Sequence, residues 1–266
     1  CAREVLDAEA PRAFAVLRPL RVTLTNWPPD HVETLQAEVH PRRAELGLRG
    51  LRMESSLYID ADDYSDAPPP GYNRLVAGGK VRLKYGYVIT CDEVVRDSDG
   101  RPVEIRARYD SRTRGGVTPE GEARVKGIVQ WVPVSAALPA KLRLYERLFM
   151  AAMPGRDHDG DVLRDLNADS VRVVEGALVE PFVAQAVAQG SRHLQFERVG
   201  YFYADPEDPD QARADDSGDD ARAQRPLVLN RVVTLRDSWA APASAKHAPA
   251  PAKHTAPSPA ATAAGG

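Results

Sequence analysis

Two stretches of the chain carry side chains able to recognise phosphate and a nucleic-acid base. In residues 72–90, strand periodicity puts Arg82 and Lys84 on one side and Val81 and Leu83 on the other. A guanidinium and an ammonium held on a strand, with Tyr85 and Tyr87 beside them, would meet phosphates and unstacked bases. An ordinary solvated strand face shows the same pattern, and this stretch alone does not separate the two readings. In residues 194–203, Leu194, Phe196 and Arg198 face one way on a strand and Gln195 and Glu197 the other, with Gly200 able to bend the edge. The Gln195 amide and the Arg198 fork can both pair with a base edge, or can simply decorate a core strand.

Other apparent sites fail on their spacing. Asp97-Ser98-Asp99-Gly100 starts like a calcium loop, but Arg108 stands where a bidentate glutamate is needed. Gly78-Gly79-Lys80 lacks both the first glycine and the magnesium-binding hydroxyl of a phosphate loop, having Arg74 and Val81 there. The ligand types in residues 156–161 form one polar segment with no second cluster, so no metal site is expected. No serine sits in a nucleophile elbow, and hydrolase chemistry has no support.

The elements that must position these groups are mainly strands. Alternation marks residues 22–25, 57–60, 81–95, 103–109, 125–132 and 228–236. Asp99-Gly100 falls between two of these runs as a hairpin turn. Short helices are predicted at 161–166 and at 182–188, the latter ending near Gly190. Residues 138–149 suit either a strand or a helix, and periodicity does not decide between them.

Composition fits a globular chain of 266 residues, 43% hydrophobic and 27% charged, large enough for more than one domain. Cys1 and Cys91 are the only cysteines, too few for a disulfide framework. No apolar run approaches a membrane span, and the first residues have no signal-peptide or lipidation character, so the expectation is a cytoplasmic protein without a membrane partner. The net charge of -3 is uneven: residues 205–220 hold eight acids and one arginine, and removing that -7 leaves the rest at +4. Residues 204–226 read as a solvated acidic loop, expected to be disordered, and residues 241–266 as a disordered Ala/Pro-rich tail.

Taken in order, these segments resemble the C-terminal anticodon-binding region of the glutaminyl-tRNA synthetases, which are class I enzymes. The residues that carry the resemblance include Ala10-Pro11-Arg12-Ala13, Tyr72-Asn73-Arg74-Leu75-Val76, Val81-Arg82-Leu83-Lys84 with Tyr87-Val88-Ile89, and Val125-Lys126-Gly127-Ile128-Val129-Gln130-Trp131-Val132. It continues through Leu142-Arg143-Leu144-Tyr145-Glu146-Arg147-Leu148-Phe149, Gln195-Phe196-Glu197-Arg198 and Asn230-Arg231 to Leu235-Arg236-Asp237-Ser238-Trp239.

The resemblance implies an all-β fold of two closed six-stranded β-barrels with short connecting helices, like the ribosomal protein that binds 5S ribosomal RNA. Closure would remove exposed strand edges. Residues 1–11 would be the connector from an upstream catalytic domain and residues 12–240 the two-barrel region. The partner would be the anticodon loop of tRNA(Gln). Arg82, with Lys84 close by, would take the first anticodon base and its phosphate; Arg12, Gln195 and Arg198 would surround the central uracil; Arg74 would take the third base. Asp7, Pro41, Arg42 and Asn73 would make weaker RNA contacts. Lys84, Asn73 and Asp7 depart from the arginine, lysine and asparagine of bacterial relatives. The family's HIGH and KMSKS signatures are absent from the chain, so it is expected to bind tRNA as a monomer without charging it. ATP and magnesium would belong to the catalytic domain, with no cofactor on this chain. The archaeal or eukaryotic type of glutamyl-tRNA synthetase, a free-standing RNA-binding barrel and a purely structural docking domain are the alternatives.

Overall fold

Residues 13–16 set the architecture, because their alternation serves two cores at once. Ala13 and Ala15 point into one apolar cluster and Phe14 and Val16 into the other, all of them buried. The computed structural model describes residues 2–205 and 226–235, which belong to a unit ending at Leu235.

Helix α1 (Ala2–Glu9) leads into β1 (Arg12–Ala13), β2 (Ala15–Val16), β3 (Pro19–Leu24), β4 (Glu33–Glu38), β5 (Leu48–Met53) and β6 (Ser56–Asp60). Then come β7 (Lys80–Leu83), β8 (Val88–Arg96), β9 (Pro102–Asp110), β10 (Ile128–Val129), β11 (Val132–Pro133) and β12 (Leu138–Tyr145). The chain continues with β13 (Val171–Val179), helix α2 (Phe182–Ala188), β14 (His193–Phe196), β15 (Gly200–Tyr203) and β16 (Leu227–Val233).

The protein is mostly β, with the strands in two seven-stranded sheets and one two-stranded ribbon, β4-β5. One sheet runs β10-β7-β8-β9-β3-β6-β11, the other β1-β14-β15-β16-β12-β13-β2. In each sheet the two end strands are neighbours in sequence: β1 and β2 flank Phe14, and β10 and β11 flank Gln130-Trp131. Leu20, Val22, Leu57, Ile59, Ile89 and Trp131 fill the first core; Leu142, Val179, Leu194, Phe196, Phe202 and Leu229 fill the second.

Several elements differ from the sequence reading for identifiable reasons. The run at 81–95 is two strands, because Tyr85 adopts φ 63° in a turn closed by Gly86 N–H on the Leu83 carbonyl. Most of 125–132 is not strand; Gly127 passes so close to the Asn73 carbonyl that a Cβ would sit 2.7 Å from it. Residues 138–145 resolve as a strand, paired on both sides. The strands at 33–38, 48–53 and 171–179 and the helix at 2–9 carried too little apolar alternation to be read. The turn at Asp97–Gly100 joins β8 to β9 as expected, with Gly100 at φ 78°. Helix α2 has its expected bounds, and residues 162–165 form the short helix expected nearby, as a 3-10 turn. The acidic loop, apart from its ends, the tail and the motif beyond Leu235 lie outside the described residues.

The join between the sheets is ionic as well as apolar. Glu180, just before α2, accepts the Phe14 N–H at 2.6 Å and the Arg49 Nε at 3.0 Å. The side chains of this pair are 1% and 2% exposed. Arg49 also lies over the Phe14, Tyr85 and Phe182 rings and donates to the Glu38 carbonyl. Removing one partner strands the other charge in the interior, so Glu180→Ala should cost about 3–5 kcal/mol in urea unfolding. Adding Arg49→Met should recover part of that, with a coupling of about 1–3 kcal/mol, whereas strictly additive losses would show that the pair does not act as a unit.

Candidate nucleic-acid interface

Three carboxylates hold the cations that the sequence singles out, Arg82 excepted. The first is Asp7, on α1. Arg12 opens β1, is 6% exposed, and has Gln195 of β14 as its register partner in a parallel pairing. Its Nη2 donates to the Asp7 carboxylate at 2.7 Å and to the Asp7 carbonyl at 2.9 Å. Arg42 reaches the other carboxylate oxygen at 2.5 Å, and the Tyr201 hydroxyl donates at 2.9 Å. The Arg42 hydrogen bond in particular holds the Asp7 carboxyl below its ordinary range, against a smaller opposing effect of burial. Burial and the Asp7 carboxylate push the Tyr201 phenol up, which keeps it a donor. His40 completes the group: its Nε2 faces the Asp7 carbonyl at 2.9 Å and its Nδ1 accepts the Arg42 N–H at 3.1 Å. Beside this group, the buried Gln195 Oε1 has no hydrogen-bond partner among the described residues.

The second carboxylate is Asp63, 1% exposed. Arg198 donates Nη2 to Oδ1 at 2.6 Å and Nη1 to Oδ2 at 2.9 Å, a two-bond fork. Arg74 pairs with the same carboxylate, its Nε 2.8 Å from Oδ1, and donates Nη1 to the Asn73 carbonyl at 3.1 Å. Arg74 comes from the segment before β7 of the first sheet and Arg198 from the turn between β14 and β15 of the second. The sequence reading placed Arg198 on the face of Leu194 and Phe196. The strand instead ends at Phe196, and Arg198 turns at φ 66°, which takes its side chain out of the strand alternation.

Glu197 is the third carboxylate. It pairs with Lys84, and its Oε1 lies 3.9 Å from Arg49 Nη2, so the half-buried lysine connects to the buried Arg49–Glu180 pair. Gln130 fixes the same turn by donating to the Glu197 carbonyl at 2.8 Å.

Arg82 is held by none of these three carboxylates, while its neighbours Val81 and Leu83 pack in the first core as the alternation predicts. It is 7% exposed and lines a cavity of about 370 Å³ with Lys80, Asp110, Thr113, Val117 and Glu122. Its guanidinium lies 2.9 Å from where a Cβ on Gly116 would sit, so the glycine leaves room for it. Arg112 pairs with both Asp110 and Glu122 at 2.7 Å, which offsets the acids on the wall, while the buried Arg82 Nε has no hydrogen-bond partner among the described residues.

The expected aromatic platform is not there. Tyr85 stacks on Phe14 with ring centroids 6.1 Å apart, and Tyr87 is buried against Trp27 and Tyr109 with its hydroxyl on Glu33. Of the weaker candidates, Arg42 joins the Asp7 group, Pro41 is exposed beside it, and Asn73 is exposed with its amide on the Gly71 carbonyl. Sequence reasoning missed Asp63 and the holding role of Glu197. Both are acids, and a search for cations that meet phosphate passes over the groups that position them. No group of three or more His, Cys, Asp or Glu side chains able to hold a metal occurs among the described residues. No helix among them is long and apolar enough to cross a membrane.

Two family models match the chain, both described as tRNA synthetases class I (E and Q), anti-codon binding domain: one covers residues 10–110 and the other 128–205. The glutamine–tRNA ligase of Pseudomonas aeruginosa strain PAO1 is 44% identical over 238 residues, 89% of this chain and 40% of that protein. Those of Pseudomonas syringae pv. tomato and Azotobacter vinelandii are 45% and 43% identical over the same share of this chain. The chain thus spans about 40% of the length of these relatives. Arg12, Asp63, Arg74, Arg82 and Lys84 fall inside the first matched region and Gln195 and Arg198 inside the second, and the chain belongs to the anticodon-binding domains of the class I tRNA synthetases for glutamate and glutamine.

Proposed function

We propose that this chain reads the anticodon of tRNA(Gln), as part of a glutamine–tRNA ligase that joins glutamine to that tRNA with ATP. The observation that carries the proposal is the convergence of Arg74 and Arg198, 124 positions apart, on one buried carboxylate. The similarity to glutamine–tRNA ligases supplies the amino acid. Each guanidinium is held from one side and remains partly exposed, with side-chain exposures of 32% and 39%. Preformed donors of this kind suit the Watson–Crick edges of splayed loop bases.

On this reading Arg82 takes the first anticodon base in its cavity and Lys84 the adjoining phosphate. Arg12, Gln195 and Arg198 surround the central uracil, where the unpartnered Gln195 amide oxygen would gain a donor. Arg74 takes the third base, and Pro41, Arg42 and Asn73 lie along the RNA backbone, with Asp7 orienting Arg42. Each sheet closes as a six-stranded barrel; the adjacency of β1 with β2 and of β10 with β11 supports this, because each pair counts as one interrupted strand. ATP, magnesium and the chemistry belong to a catalytic domain elsewhere in the ligase. The chain acts in the cytoplasm as part of a monomer.

Filter binding at fixed salt tests the reading. Arg74→Ala should weaken tRNA(Gln) binding by about 1–3 kcal/mol and hardly affect a tRNA with a different third anticodon base. Equal weakening of both would count against base reading. Lys84→Ala should instead weaken both tRNAs alike and lower the slope of log K against log salt by about 0.7, as loss of one phosphate contact requires. An unchanged slope would remove Lys84 from the phosphate set.

A further inference from the structure

We propose that Asp63 is a positioning residue that couples recognition of the central and third anticodon bases; this rests on the anticodon reading above. Its two oxygens serve two arginines assigned to different bases. Oδ1 accepts from Arg198 and lies 2.8 Å from Arg74 Nε in an ion pair, and Oδ2 accepts from Arg198 alone. Arg74 Nη1 is taken by the Asn73 carbonyl, but neither Arg74 Nη2 nor Arg198 Nε makes a hydrogen bond to a described residue, so each guanidinium keeps a nitrogen to present.

Asp63 is itself held with little freedom. It ends a 3-10 turn, Ala61–Asp63, whose start is capped by Asp60 accepting the Asp62 N–H at 3.0 Å. Asp60 also accepts the Leu17 N–H at 2.9 Å, which ties the turn to the strand between the two cores. The Asp63 carbonyl accepts the Leu75 N–H at 2.9 Å, so one residue anchors both the backbone beside Arg74 and the Arg74 side chain. On the other side, Arg198 is a non-glycine residue at φ 66°, a conformation that persists only where surrounding contacts hold it. The fork on Asp63 is such a contact.

The consequence follows from the shared oxygen. With Arg198 gone, Oδ2 is freed and the Arg74 fork can rotate inward to occupy both oxygens, withdrawing the edge offered to the third base. With the Asp63 charge gone, neither arginine is oriented, and an asparagine amide would face the guanidiniums with two donors of its own. Asp63 touches no base on this reading and acts only through the two arginines.

The test measures the full chain against three anticodon stem-loop RNAs: the glutamine anticodon CUG, one with the central base changed and one with the third base changed. The quantity read is each mismatch Kd divided by the CUG Kd. Asp63→Asn is expected to lower both ratios by about threefold or more, and Arg198→Ala to lower the third-base ratio by about threefold or more despite its assignment to the central base. A purely structural role would weaken all three RNAs together and leave the ratios unmoved. Arg198 is 39% exposed, so its alanine variant keeps the test decisive even where Asp63→Asn misfolds. An Arg198→Ala third-base ratio within less than threefold of the unaltered chain overturns the coupling, and a folded Asp63→Asn chain that keeps either ratio overturns it too. Equal binding of all three RNAs by the unaltered chain is a different result: it overturns the anticodon reading, and this inference with it.

Discussion

The Arg49–Glu180 pair is the constraint on which the two sheets agree. It lies where β1, β2, the β4-β5 ribbon and the start of α2 meet, and Glu180 also accepts the N–H of Phe14. Phe14 faces the first core while Ala13 and Ala15 face the second, so a shift of one residue here would exchange the contents of both cores. A buried ion pair is weak evidence of net stability but strong evidence of geometric demand, because each member needs the other in place. Arg12 lies two residues before Phe14, and the site thereby inherits its register from this join.

Every cation assigned to RNA outside the Arg82 cavity is held by a carboxylate: Arg12 and Arg42 by Asp7, Arg74 and Arg198 by Asp63, Lys84 by Glu197. Long flexible cations lose rotamer freedom on binding, and a partner that has already fixed them removes part of that cost before the ligand arrives. The same carboxylates moderate the local charge. The surface can then orient several guanidiniums close together without the mutual repulsion of a bare cluster, at the expense of some long-range attraction for the RNA.

What the sequence made legible followed from local physics. The β8-β9 hairpin, α2 and strand β6 have alternation or turn chemistry that acts over a few residues, and they appear where those signals put them. Residues 138–149 were undecided because both periods fit; pairing of β12 with β13 and β16, contacts distant in sequence, decides for the strand. The site was legible only in part for the same reason. Gln195 and Arg198 stood out in their local pattern and Arg12 and Arg74 through family resemblance, but nothing local says that Arg74 and Arg198 share Asp63. The reading of Tyr85 and Tyr87 as a stacking surface failed because the positive φ at Tyr85 ends the strand, and tertiary packing claims both rings.

The arrangement divides the proposed anticodon positions unequally. The residues assigned to the second and third bases meet at Asp63 and Asp7, on segments bound to the join between the sheets. The Arg82 cavity is built from the first sheet alone, with a wall at residues 113–125. All of that wall lies between the two regions matched by the family models, which end at 110 and resume at 128. Its lining is also chemically mixed: Arg82 and Lys80 supply charge, Arg112 offsets the acids from outside, and Val88 and Val117 supply apolar surface. A pocket of this kind selects by shape and by a guanidinium without a hydrogen bond to any described residue, rather than by a fork locked on a buried carboxylate. The physics therefore favours stringent reading where both sheets contribute and more permissive reading where one sheet does.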